Sequence, residues 1–417
     1  MAAKRAAAAQ YEVWLDGDTL PERVRVGKLA HDRGQVRFEY ERTWLTHPKR
    51  FELDPTLQLY AGPYFPNPRQ GNFGVFLDSA PDRWGQMLMD RREQLAARDE
   101  GRAARALDAV DYLLGVQDAT RTGALRFCAV GTERFLDDNR LAAPPVASLR
   151  ELEATALAIT NKRLEDLDAL RRWLAVLVAP GASLGGAHPK ANFSDMDGTL
   201  WIAKFPAADD TFDRAAWEIL VHDLAQQCLI DVPTARLATF GQHYRTYCVL
   251  RFDRTGARRR FFVSAQTLLQ RKQSEGGSYL DLAQFIATQG APAHIGRDLE
   301  QLFRRVVFNI AVSNRDDHLR NHGFLWTDEG WRLAPAYDVN PNLDKETHVL
   351  AIDDADTRPS LAVALASADF YRLTPATAQR IIDEVTTTVA SRWHACARGL
   401  QIPAAEIELF TTAFGPR

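Results

Sequence analysis

Hydrophobic positions between residue 11 and about residue 127 fall in short runs. Tyr11-Glu12-Val13-Trp14-Leu15 leads into a turn at Asp16-Gly17-Asp18. Val36-Arg37-Phe38-Glu39-Tyr40 alternates apolar and polar, the pattern of a half-buried strand. Residues 73–77 form a further apolar run, and a helix is predicted to start near Pro81 and continue through Trp84, Met87, Leu88 and Arg91. Ala142-Ala143-Pro144-Pro145 reads as a linker. Ser148 with Glu151 three residues on is a capping-box signature for a helix carrying Leu149, Leu152, Ala156 and Ile159. A second helical stretch is predicted over about 164–178.

The pattern then changes. Pro180-Gly181-Ala182-Ser183-Leu184-Gly185-Gly186-Ala187-His188-Pro189-Lys190 is glycine-rich. Two strands, 190–193 and 200–205, follow around the turn Asp195-Met196-Asp197-Gly198. A helix is predicted over about 214–228, with Trp217, Leu220, Val221 and Leu224 on one face. Tyr247-Cys248-Val249-Leu250-Arg251-Phe252 reads as another strand. The remainder is mostly helical, with Leu302, Phe303, Val306, Val307 and Ile310 at helical spacing. A hairpin, 323–326 and 331–333, interrupts it around Asp328-Glu329-Gly330.

Length and composition narrow this picture. A chain of 417 residues exceeds one ordinary core, so two or three domains, or two lobes sharing a cleft, are expected. Hydrophobic residues at 46% and charged residues at 25% describe a globular protein rather than a disordered one. A net charge of -3 gives no global drive towards nucleic acid or anionic membrane. The basic run 254–260 reads first as a solvated turn. Cys128, Cys228, Cys248 and Cys396 form no CxxC, which argues against a disulfide framework or a thiolate zinc site and for a reducing compartment. With no signal-peptide core and no 18-residue apolar run, a cytoplasmic protein is expected. The N-terminal region reads as a structural module without chemistry.

Candidate chemistry lies further on. The glycine-rich stretch can turn backbone N–H groups towards phosphate. It is no Walker A loop, because Pro189-Lys190-Ala191 breaks that motif and leads into a strand. Lys204 lies on a strand among apolar neighbours and needs a partner. Glu218, near the start of the next helix, can supply one, as in kinases where a strand lysine holds ATP phosphates and a helix glutamate orients it. Asp316 and Asn321 stand at the D-x4-N spacing of kinase catalytic loops. There the Asp accepts the substrate hydroxyl proton and the Asn ligates magnesium. A hairpin and then Asp338 follow, in the kinase order of catalytic loop and metal-binding Asp. The same segment has a second reading, because His318 and His322, four apart and beside Asp316 and Asp317, could face a transition metal.

Four blocks together resemble the HipA toxin family, the serine/threonine protein kinases of bacterial type II toxin–antitoxin systems. They are Ser183 to Ala191 (SLGGAHPKA), Ile202-Ala203-Lys204-Phe205-Pro206, Arg251-Phe252-Asp253-Arg254, and Asn314 to Asn321 with Tyr337-Asp338. GVFLDSAPDRW at 74–84 and RTGALRF at 121–127 are similar too, so the resemblance covers most of the chain.

The resemblance implies an α+β, bilobal protein-kinase-like fold with an extra N-terminal subdomain (1–145), an ATP-binding lobe with a glycine-rich flap (146–254) and a mainly helical catalytic lobe (255–417). Asp316 would be the catalytic base, and Asn321 and Asp338 would hold Mg2+. Lys204, with Glu218, would contact ATP phosphates, and Gly185, Gly186 and Lys190 would belong to the flap. Leu250 and Phe252 would form the adenine hinge, Asp253 would bind ribose hydroxyls, and Ser183 would be the autophosphorylated serine. His188 departs from the pattern, since many relatives carry Arg there. The resemblance further implies an aminoacyl-tRNA synthetase or other translation component as substrate. The expected partner is a small helix-turn-helix, HipB-like antitoxin, through which most DNA contact would run. Two other functions fit some of these features: an antitoxin-docking co-repressor with little kinase role, and a small-molecule kinase on a similar fold.

Overall fold

A computed structural model describes residues 9–32, 34–132, 134–137, 143–160, 188–241 and 244–414. The helix expected over 164–178 and the flap residues Ser183, Gly185 and Gly186 lie outside the described residues.

The alternating runs of the N-terminal region become one antiparallel sheet. Strands β1 (Ala9–Leu15), β2 (Val24–Asp32), β3 (Gln35–Tyr40), β4 (Pro63–Tyr64) and β5 (Leu125–Ala129) take the order β4-β3-β2-β1-β5. Val13, Leu15, Phe38 and Tyr40 are buried, as the period-two pattern requires. The apolar run 73–77 is helical, forming Gly74–Asp78. The helix near Pro81 runs Arg83–Asp99 and is capped by Asp82, whose Oδ1 accepts from the Gly85 N–H at 2.9 Å.

A second sheet joins β6 (Lys190–Ser194), β7 (Leu200–Lys204), β8 (Ala235–Ala238) and β9 (Thr246–Leu250) in the order β6-β7-β9-β8. Its face packs Ala191, Phe193, Ala203 and Cys248 against Leu149, Leu152 and Ile159 of the Leu149–Thr160 helix and against Trp84 and Leu88. The Arg83–Asp99 helix therefore shares its core with the second sheet, although its sequence lies in the N-terminal region. Helix Arg214–Gln227 packs beside β8 and β9.

After the short hairpin β10 (Arg254–Thr255) and β11 (Arg258–Arg259), the chain is mainly helical. Its helices include Tyr279–Gln289, Ile295–Ala311 and Pro375–Gly399. A three-stranded sheet, β12 (Phe262–Ser264), β13 (Gly323–Thr327) and β14 (Gly330–Leu333), contains the expected hairpin. The largest apolar cluster runs from Val13 and Phe38 through Phe261 and Phe308 to Trp393 and Phe414, crossing all three sequence regions. Trp217 stacks on Phe410 with ring centroids 4.1 Å apart, which ties the Arg214–Gln227 helix to the C-terminal segment. Each large side chain so buried stabilises the fold by about 1.5–3 kcal/mol. Among the described residues no helix is long and apolar enough to cross a membrane.

Candidate active site

Helix Ile295–Ala311 is almost wholly buried near its C-terminal end, and the chain leaves it sharply. Ser313 takes a left-handed φ of 54°, and its hydroxyl donates to the Ala413 carbonyl at 2.7 Å. The loop that follows divides its two adjacent aspartates. Asp317 is buried and accepts hydrogen bonds from the Tyr279 hydroxyl at 2.5 Å and the Asn309 amide at 2.8 Å. His322 Nε2 lies 2.7 Å from the same oxygen. Burial alone would raise the Asp317 carboxyl, but His322 and Tyr279 outweigh it and hold it below the usual range. The Asp316 side chain is 55% exposed and opens into a cleft.

The opposite wall comes from β7 and the next helix. Asp213 caps that helix through the Ala216 N–H at 3.0 Å, which sets Glu218 on its second turn. Lys204 Nζ donates to Glu218 Oε1 at 2.6 Å and to Asp338 Oδ1 at 2.7 Å. Burial would lower the Lys204 ammonium, but Asp338 and Glu218 overcome it and hold it above its ordinary value. Asp338 is likewise raised by burial and lowered more strongly by Lys204, so it stays ionised below the usual carboxylate range. Its φ of 57° is left-handed, a conformation that Asp tolerates better than most residues.

Lys204, Glu218, Asp316, Asn321, Asp338 and Asn340 line one cleft of about 300 Å³. Asn321 and Asp338 present hard oxygen donors of the kind magnesium takes. Asp338 spends Oδ1 on Lys204, and Asn321 lines the same cleft. The two residues therefore fit the ion the sequence implied. His322 is spent on Asp317, and among the described residues no group of three or more His, Cys, Asp or Glu could hold a metal.

Other expected site residues have further partners. Lys190, expected at the phosphates, lines the cleft from β6, where it is buried with its ammonium bonded to Asp82, and its carbonyl accepts from Trp84 Nε1 at 3.2 Å. Asp253, expected at a ribose, is buried with both carboxylate oxygens engaged. Arg251 donates to Oδ1 at 2.7 Å and to Oδ2 at 2.5 Å, while Arg254 and the Gly123 N–H reach Oδ2 at 2.7 and 2.8 Å. Burial would raise its carboxyl, yet the two arginines hold it far below the usual range. It therefore clamps the N-terminal module to the segment after β9. At the expected hinge, Leu250 N–H bonds the Thr234 carbonyl at 2.8 Å, and Phe252 stacks on Tyr337 with centroids 5.3 Å apart. Leu250, Phe252, Ile202, Val249 and Tyr337 close around a slot of only about 30 Å³, so a purine would have to part these side chains.

Sequence reasoning passed over Tyr279 and Asn309, which hold Asp317, and Lys345, whose ammonium bonds Asp316 Oδ1. None of them has a spacing signature, because each reaches the loop from elsewhere in the chain. His188 pairs through Nε2 with Asp210 Oδ1 at 2.9 Å, where Arg214 Nε also bonds at 2.6 Å.

Two family models match the chain. The HipA N-terminal domain covers residues 12–128, and the HipA-like C-terminal domain covers residues 182–393. No curated protein matches. Among solved structures, a chain of the Shewanella oneidensis MR-1 toxin–antitoxin complex of HipA, HipB and operator DNA aligns with a TM-score of 0.64 at 19% identity. That alignment covers 97% of this chain and 94% of that one. The Helicobacter pylori proinflammatory kinase CtkA aligns with a TM-score of 0.34 at 13% identity, over 51% of this chain and 95% of that one.

Proposed function

The chain belongs to the HipA family, and from that premise we propose that it is an ATP-dependent serine/threonine protein kinase, the toxin of a type II toxin–antitoxin system. The observation that carries this reading is the Lys204 ammonium held between Glu218 and Asp338 on one wall of a cleft that Asp316 enters from the other. A fixed cation beside one carboxylate and across a cleft from an exposed one supports a phosphoryl-transfer reading, in which these would be metal ligand and base.

In this reading Lys204 positions the ATP phosphates and Glu218 keeps its ammonium in place. Asp316 takes the acceptor hydroxyl's proton as that oxygen bonds the γ-phosphorus and the bond to the ADP oxygen breaks. Asn321 and Asp338 would hold Mg2+, which neutralises phosphate charge when bound. Asp317 is excluded as the base because its side chain is buried and its Oδ2 already accepts from Tyr279 and Asn309. Leu250 and Phe252 would flank adenine once the slot opens. Gly185 and Gly186 would cover the phosphates, and Ser183 would be the self-phosphorylated residue.

The substrate proposed is an aminoacyl-tRNA synthetase or other translation component, reached in the cytoplasm. The partner proposed is a small helix-turn-helix antitoxin carrying most of the DNA contact. The full-length fold match to a chain of a HipA, HipB and operator DNA complex supports that pairing. Phosphoproteomics after controlled expression tests the reading: wild type should add phosphate to Ser183 and to an acceptor protein, and Asp316→Asn should do neither and lose toxicity. Full toxicity in Asp316→Asn would favour the co-repressor role instead.

A further inference from the structure

The segment after Asp338 does not leave the site. It folds back along the loop that carries Asp316. Asn340 N–H reaches Asn314 Oδ1 at 3.4 Å, and Asn342 N–H bonds the Ser313 carbonyl at 2.9 Å. Asn342 Oδ1 then accepts from the N–H groups of Asp344 and Lys345, both at 3.0 Å. The Arg315 guanidinium bonds the Lys345 carbonyl, and Val349 N–H returns to the Arg315 carbonyl at 3.2 Å. This bracing delivers the Lys345 ammonium to Asp316 Oδ1.

An exposed carboxylate rotates about a broad, two-fold torsion, so its two oxygens exchange freely. A cation fixed on Oδ1 breaks that equivalence and leaves Oδ2 for an incoming group. The cleft's Lys204 is committed to Glu218 and Asp338, and Lys190 is bonded to Asp82. We propose that Lys345 is a positioning residue that orients the Asp316 carboxylate towards the acceptor hydroxyl. This rests on the kinase reading of the cleft. Lys345 itself takes no proton: the hydroxyl proton still passes to Asp316. The bracing also separates this role from that of a removable lock. Lys345 is anchored at both its N–H and its carbonyl to the base's own loop and to the Asn342 turn, so it travels with Asp316.

The test uses the full chain with magnesium and γ-labelled ATP. It compares wild type, Lys345→Ala, Lys345→Arg and Asp316→Asn in single-turnover self-phosphorylation, with a fluorescent ATP analogue to measure nucleotide binding. The proposal expects Lys345→Ala to slow phosphoryl transfer by about 10- to 100-fold, the scale of losing near-attack orientation. Nucleotide Kd should stay within about twofold, and Lys345→Arg should recover most of the rate. A Lys345→Ala rate equal to or above wild type overturns it, the faster result marking Lys345 as a lock. Equal losses in the Ala and Arg variants together with weakened nucleotide binding also overturn it, as a merely structural role. If wild type transfers no phosphate, or Asp316→Asn transfers it at the wild-type rate, the kinase reading fails first and this inference falls with it.

Discussion

Asp316 and Asp317 are chain neighbours with opposite surroundings: Asp316 stands 55% exposed in the cleft, and Asp317 is buried under Tyr279, Asn309 and His322. One is accessible for chemistry and the other anchors the loop that presents it. Asp317→Ala should strand three polar partners and cost about 3–5 kcal/mol of unfolding free energy at neutral pH. Its folded carboxyl lies below the ordinary value, so its contribution is present above the unfolded pKa of about 4 and lost as pH falls through the folded value. Urea denaturation of wild type and Asp317→Ala should therefore give curves that converge as pH drops below about 4.

Lys204 compensates a buried carboxylate, Glu218, and a half-buried one, Asp338. Lys204→Met should weaken ATP binding and also destabilise the fold by about 3–5 kcal/mol, because Glu218 and Asp338 then face each other unpaired. Adding Glu218→Gln to Lys204→Met should recover part of the stability without recovering nucleotide binding. Denaturation and nucleotide titration of the single and double variants separate the two effects.

The ion pair between Lys190 and Asp82 joins β6 to the cap of the Arg83–Asp99 helix. Asp82→Ala should therefore lower stability by about 3–5 kcal/mol through an unpaired buried lysine. The paired change Asp82→Leu with Lys190→Met should lose much less than the sum of the singles. Thermal or urea unfolding checks this, and a phosphate-binding Lys190 would instead show its main effect in nucleotide affinity.

His348 is buried, and burial pushes its imidazole down to about 4 against the opposing pull of Asp317. The folded state therefore favours the neutral ring, while the unfolded chain takes up its proton near pH 6.5. Stability should fall as pH drops from about 6.5 to about 4, by about 3 kcal/mol over that window. Replacing His348 with Leu should flatten this part of the pH–stability curve, measured by urea denaturation.

The sequence carried those parts of the site that rest on local spacing. The period-two run 200–205 exposed Lys204 as a lysine needing a partner, and Glu218 sits on the helix it reaches. The D-x4-N interval singles out Asp316 over Asp317, and Asp316 is exposed in the cleft while Asp317 is buried. Asp338 followed from the hairpin, which forms as β13 and β14. What the sequence could not show depended on neighbours brought from far along the chain. Lys190 meets an aspartate 108 residues earlier, a contact no local pattern encodes. Asp253 did carry a local signal, since Arg251 and Arg254 flank it, and two such close cations favour an internal ion cluster over a free carboxylate. The run 73–77 is too short for periodicity to separate strand from helix, and it forms the helix Gly74–Asp78.

The central claim is that this cleft transfers phosphoryl groups with Asp316 as its base. The most direct test is γ-phosphate incorporation from labelled ATP and magnesium by purified, dephosphorylated full-length protein, comparing wild type with a folded Asp316→Asn. Incorporation by wild type that falls by at least about 100-fold in Asp316→Asn is the predicted result. Equal incorporation by the two proteins, or none by wild type, would contradict it.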